Sequence, residues 1–263
     1  MPLKKGTSFA CEIFRGIFFP AAVMLCAVCV PDSLQAQDAG AFDKANRLYQ
    51  DGKFKEAAQA YQELASGRDP SPALFYNLGN SLFRASQTGQ AILFYERALR
   101  YAPRDADIRA NLAHVRGLLE YRVDDKRNWY VRAAEEWLGY FRTEEIFLVV
   151  MVVYLIFLLT AFFCLAYRRG MAWGWWRKTL LAVFLLTLGL AGAKQYDLEV
   201  MKDAIVIVEQ AEVRYGPSVT DQIAFRLGEG LKAYVVDTRR DWSRIVLVNH
   251  EGGWVKNSDI GIV

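Results

Sequence analysis

Histidine and cysteine are scarce in this chain of 263 residues, and their positions exclude most site chemistry. The two histidines, His114 and His250, stand far apart, one in a helical pattern and one beside a turn. All four cysteines, Cys11, Cys26, Cys29 and Cys164, lie in apolar runs. Cys26 and Cys29 form a C-x-x-C pair, but within a leader-like segment, so neither a disulfide framework nor a metal site follows. No Gly-rich loop opens a helix after a strand, which removes the phosphate-binding motifs. The acidic pairs Asp124-Asp125, Glu135-Glu136 and Glu144-Glu145 fall in linkers or at helix ends, where solvated charge accounts for them. No catalytic residue and no cofactor are expected, and the chain reads as something other than an enzyme. A net charge of +3 is too small to argue for nucleic acid.

What the chain has is long apolar runs. Ile146 to Tyr167 carries no charge over 22 residues, enough for a helix across a hydrocarbon core of roughly 30 Å. A second run, Thr179 to Ala193, has 15 uncharged residues, flanked by Arg177, Lys178, Trp173, Trp175, Trp176 and Tyr196. Between them Arg168, Arg169, Arg177 and Lys178 stand without an acidic residue. Positive residues stay on the cytoplasmic side. The expectation is two transmembrane helices (144–168 and 179–196) around a cytoplasmic loop (169–178), with both flanks exported. Upstream, residues 1–36 read as a signal peptide: Lys4, Lys5 and Arg15, an apolar core from Ile17 to Val30, then Leu34-Gln35-Ala36.

From 38 to 123 the chain repeats itself every 34 residues. Ala45 is followed by Gly79, Leu48 by Leu82, Ala57 by Ala91 and Tyr61 by Tyr95. In the second copy Phe75, Leu78, Ala98 and Pro103 complete a pattern that closely resembles the tetratricopeptide repeat. Small residues at 79 and 91 let paired helices cross closely, and Pro103 ends the second of them. Ile108 to Tyr121 reads as a capping helix. The resemblance implies a concave face that takes an extended peptide. Its candidate residues are Phe42, Asn46, Tyr49, Tyr76, Asn80, Phe83, Arg84 and His114. The lysines of a carboxylate clamp are missing.

Residues 124–143 form an aromatic juxtamembrane stretch in which Ala133, Trp137 and Phe141 share a helical face. From 198 to 263 short alternating strands separated by Gly216-Pro217, Gly228, Gly230 and Gly252-Gly253 point to a small barrel. The series Val213 to Ser218, Leu227 to Gly230, Asp241 to Ile245 and Gly253-Trp254-Val255 resembles the bacterial SH3 domain. Tyr215 and Trp242 are its candidate groove residues, with Trp242 partly exposed and Trp254 in the core.

The fold class expected is therefore a multidomain membrane protein: an α-helical tetratricopeptide solenoid, two transmembrane helices and a C-terminal all-β SH3-like barrel. That order is similar to the BatE-type members of the Bat aerotolerance group. The resemblance implies a scaffold in the bacterial inner membrane, with both soluble modules periplasmic. Its implied partners are membrane-bound von Willebrand factor A type proteins and the lipid bilayer. The alternative is binding of peptidoglycan through the SH3 module.

Overall fold

The computed structural model describes residues 32–67, 71–121, 123, 125, 127–167, 173–199 and 202–263. The chain divides into two units, Met1–Gly40 and Ala41–Val263, and the second carries the architecture below. Residues 1–31 of the expected leader, with Cys11, Cys26 and Cys29, lie outside the described residues, as do Arg168 and Arg169.

Five helices come first: α1 Asp32–Gln50, α2 Phe54–Gly67, α3 Pro72–Arg84, α4 Thr88–Tyr101 and α5 Ala106–Gly117. Their boundaries follow from local chemistry. Ser71 accepts from the Leu74 amide at 3.2 Å, and Pro72 occupies the first turn of α3, where a missing N–H is harmless. Asp105 caps α5 through the amides of Asp107 and Ile108. The helix turns also keep the 34-residue register. Gly52 has φ +76°, and Ser86, one period later, has φ +62°. Glycine enters that left-handed region freely, whereas serine is held there by its surroundings.

The helical core is built from the repeated positions. Ala45, Ala57, Tyr61, Leu78, Leu82, Ala91, Tyr95 and Ala98 are buried, and Ile108, Leu112 and Val115 of α5 close its end. A side chain at Gly79 would begin 2.8 Å from the Tyr95 ring, so only glycine lets α3 and α4 cross there.

Next come α6 Trp129–Gly139, α7 Thr143–Tyr167 and α8 Trp173–Glu199. α7 and α8 pair through Tyr154, Phe157 and Phe184, with the Phe157 and Phe184 rings stacked at 6.0 Å. Here the sequence expectation is corrected: among the described residues no single helix is long and apolar enough to cross a membrane. In α7 the stretch Glu144–Thr160, opened by two glutamates and about 25 Å long at the usual helical rise, reaches the composition of a span only together with α6. In α8 the apolar part is Leu181–Gly192, about 18 Å by the same rise. A bent pair, α6 with Glu144–Thr160 at 88°, reaches the length and composition of a span only jointly.

The C-terminal part is one seven-stranded antiparallel sheet in the order β3-β2-β6-β5-β4-β1-β7. The strands are β1 Lys202–Val206, β2 Gln210–Arg214, β3 Ile223–Gly228, β4 Lys232–Arg239, β5 Trp242–Val246, β6 Gly252–Lys256 and β7 Ile260–Ile262. Its ladder has two ends, β3 and β7, each bonded to one neighbour, where a small SH3-like barrel was expected. Ala204, Val206, Ala211, Val213, Leu227, Ala233, Ile245 and Val255 fill its core.

Helices and sheet are packed together. Ile205 of β1 belongs to the helical core, with Ile207 and Val263 against it. α4 lies on β1 and β7. Gln87, at the start of α4, makes no side-chain capping bond. Instead the Gly89 amide donates to Glu229 Oε2 at 3.0 Å, a carboxylate from the β3–β4 turn 140 residues away. An acid at a helix N-terminus meets both the unpaired amides and the positive end of the dipole.

Candidate functional site

The residues expected to line the concave helical face are brought together, but most are already engaged. Tyr61 Oη donates to Asn46 Oδ1 at 2.5 Å, and one period on Tyr95 Oη donates to Asn80 Oδ1 at 2.7 Å. Asn111 Nδ2 then donates to both Asn80 Oδ1 and Tyr76 Oη at 3.0 Å. The amides thus form a ladder linking α1 to α2 and α3 to α4 and α5. Phe42 meets the Tyr61 ring edge-on at 5.7 Å, and Tyr49 meets Phe54 at 5.3 Å. Arg84 lies 4.6 Å over the Phe54 ring. Phe83 and His114 meet edge-on at 5.9 Å, with His114 exposed. Asn111, which sequence reasoning missed, stands 31 positions after Asn80 and so falls outside the 34-residue register.

The ladder has a titratable signature. Burial, with Tyr49 nearby, pushes the Tyr61 phenol up to about 12, and burial raises Tyr95 further still, with Tyr76 and Tyr49 adding. A raised phenol favours the protonated folded state. Its stability contribution is complete below the unfolded value of about 10 and is lost as pH rises through about 12. Tyr61 and Tyr95 are therefore expected to ionise late and together with loss of helix. Phenolate absorbance and circular dichroism followed in one base titration check this. A single step near the ordinary value, with helix retained, would refute it.

In the sheet, Tyr215 is 73% exposed beyond the end of β2, whereas Trp242 is only 9% exposed on β5. The expectation of a partly exposed Trp242 is corrected: β5 lies between β4 and β6, which buries its inward residues. Trp254 is buried, with Arg239 5.1 Å over its ring.

A second concavity, which the sequence did not announce, lies where α4, α5, α6 and the sheet meet. It encloses about 600 Å³. Lys232 pairs with Asp203 at 2.7 Å, Arg127 with Glu135 at 2.6 Å, and Arg116 with Glu96. Burial alone would depress Lys232, but the carboxylates of Asp203 and Glu96 outweigh it and hold it above its ordinary value. Arg127 also holds the Asp125 carboxyl down near 2 through a side-chain hydrogen bond and its backbone amide. Among the described residues no three His, Cys, Asp or Glu side chains form a metal-binding group.

No family model matches the chain. It is 37% identical over 89 residues to the probable biofilm formation methyltransferase WspC of Pseudomonas aeruginosa. That match covers 34% of this chain and 20% of the relative, so the chain spans about a fifth of that protein's length.

Proposed function

We propose that the chain is a non-enzymatic scaffold that binds an extended partner segment across the open face of α1, α3 and α5 while its apolar helices contact lipid. The observation that carries this is the placement of the sheet. It packs on α4, on the side away from the amide ladder, and leaves Arg84 and His114 exposed beside Phe83. An amide and aromatic row of this kind suits an extended backbone. Along α7 and α8, side chains such as Phe147, Leu148, Met151, Leu155, Leu185 and Leu186 are exposed, a larger apolar surface than a soluble monomer shows. A Bat-type assembly with von Willebrand factor A type membrane proteins, at the bacterial inner membrane, is the setting this reading favours.

The structure changes which residues test it. Asn80 and Tyr76 hold the ladder, so their loss would confuse folding with binding. Arg84→Glu with His114→Ala leaves the ladder intact. Cross-linked membranes from cells expressing this variant are expected to yield at least tenfold less partner than wild type. Equal recovery would remove the groove. Recovery of wall fragments alone, with the partner absent, would favour peptidoglycan binding through the sheet.

The partial match favours a second reading, in which the chain accompanies methyl transfer. Labelled methyl groups passed to a protein substrate by the purified chain would support it against the scaffold.

A further inference from the structure

The cleft between α4, α5, α6 and the sheet has more positive charge than its own carboxylates use. Six cations, Arg100, Arg109, Arg116, Arg127, Arg142 and Lys232, face four acids, Glu96, Glu135, Glu136 and Asp203. Three of the cations are paired within the cleft as described, and Arg142 lies 3.5 Å from Glu144 outside it. Arg100 and Arg109 are different. Arg100 Nη1 donates to the Val263 carbonyl at 2.5 Å, and Arg109 Nη1 reaches the Pro103 carbonyl at 3.5 Å. Arg109 forms no ion pair among the described residues, and both are exposed on the two sides of the Pro103 turn. A guanidinium has five N–H donors, so each retains several for an anion.

Tyr140, Phe141 and Arg142 also line the cleft, immediately before α7 begins. Arg104 fixes this corner by pairing with Glu145 at 2.8 Å while lying over the rings of Tyr140 and Phe141. Past Glu144 and Glu145, which open α7, its exposed side chains such as Phe147, Leu148 and Met151 are apolar. An arginine pair beside aromatic rings, continuing into an apolar helix, matches a phosphate joined to hydrocarbon.

We infer that this cleft binds the headgroup of an anionic phospholipid, its phosphate held by Arg100 and Arg109 and its acyl chains against α7. The inference rests on the lipid contact proposed above and names the lipid class.

Flotation of the full chain with phosphatidylcholine vesicles, with and without phosphatidylglycerol, tests it. Wild type is expected to partition about tenfold more onto the anionic vesicles, from roughly 1 kcal/mol per arginine near the surface partly offset by Glu136. Arg100→Glu with Arg109→Glu should abolish that preference while binding to neutral vesicles stays. Arg109→Gln, which breaks no ion pair, should reduce it several-fold, and Arg109→Lys should retain most of it. An unchanged preference in the variants overturns the site. Loss of the preference on adding inorganic phosphate would make it a free-phosphate site, and displacement by a glutamate–leucine peptide would make it a peptide site; either overturns the lipid assignment. Absence of binding to both vesicle types would instead remove the lipid contact itself.

Discussion

Tyr95→Ala is expected to destabilise the protein by about 3–5 kcal/mol, a large part of a typical domain's whole stability. Three losses combine. The ring fills the space that Gly79 leaves where α3 and α4 cross, and nothing else touches that glycine's open side so closely. The side chain is 1% exposed, so its removal leaves a cavity in a packed core. Its hydroxyl is also the donor to Asn80, which is left half-served by Asn111. Tyr95→Phe isolates the last effect and should cost only about 1 kcal/mol. Urea unfolding followed by circular dichroism measures both. A cost below about 1 kcal/mol for the alanine variant would mean that this ring does not hold the second helical pair together.

Gly89→Val should separate the helices from the sheet. Its Cβ would lie 2.6 Å from the Val206 carbonyl oxygen and 3.1 Å from Ile207 Cα, both backbone atoms that cannot swing aside. α4 would have to move off β1. That movement breaks the Gly89–Glu229 bond, the bonds from Arg97 to the Ile262 carbonyl and the bond from Arg100 to the Val263 carbonyl. It also uncovers Ile92, Leu93 and Ile205, which are buried in the intact protein. An overpacking cost of about 1–3 kcal/mol is the starting point, and the lost bonds add to it. Even Gly89→Ala is expected to destabilise, the reverse of the gain of up to about 1 kcal/mol that alanine brings to an unconstrained helix. Thermal unfolding of wild type should be one transition, and that of the valine variant two. A valine variant that melts like wild type would show that the two parts are not coupled through α4.

The helical repeat was legible because its chemistry is local. Tyr61 and Asn46, like Tyr95 and Asn80, stand 15 residues apart, so the spacing that places the helices also places the bonds. The strands were legible as short alternating segments between glycine turns, without their order in the sheet. What could not be read was anything joined across long separations. Glu229 looks like a turn residue until its carboxylate is seen on α4. Trp242 looked accessible because its burial depends on β4 and β6 lying on either side. The candidate groove was found as a set of positions, but not as residues already bonded to one another.

The long reach between α4 and the strands has a consequence during synthesis. Arg97 and Ile262 are 165 residues apart, so β7 is made long after α4. Contacts of such separation form late because the loop between them must first be closed. Until then α4 would emerge with Ile92 and Leu93 uncovered and its N-terminus uncapped by Glu229. The newborn chain would pass through an interval in which a sticky helix waits for a sheet not yet translated. Such an interval invites chaperone attention or aggregation, and truncation before β7 would make it permanent.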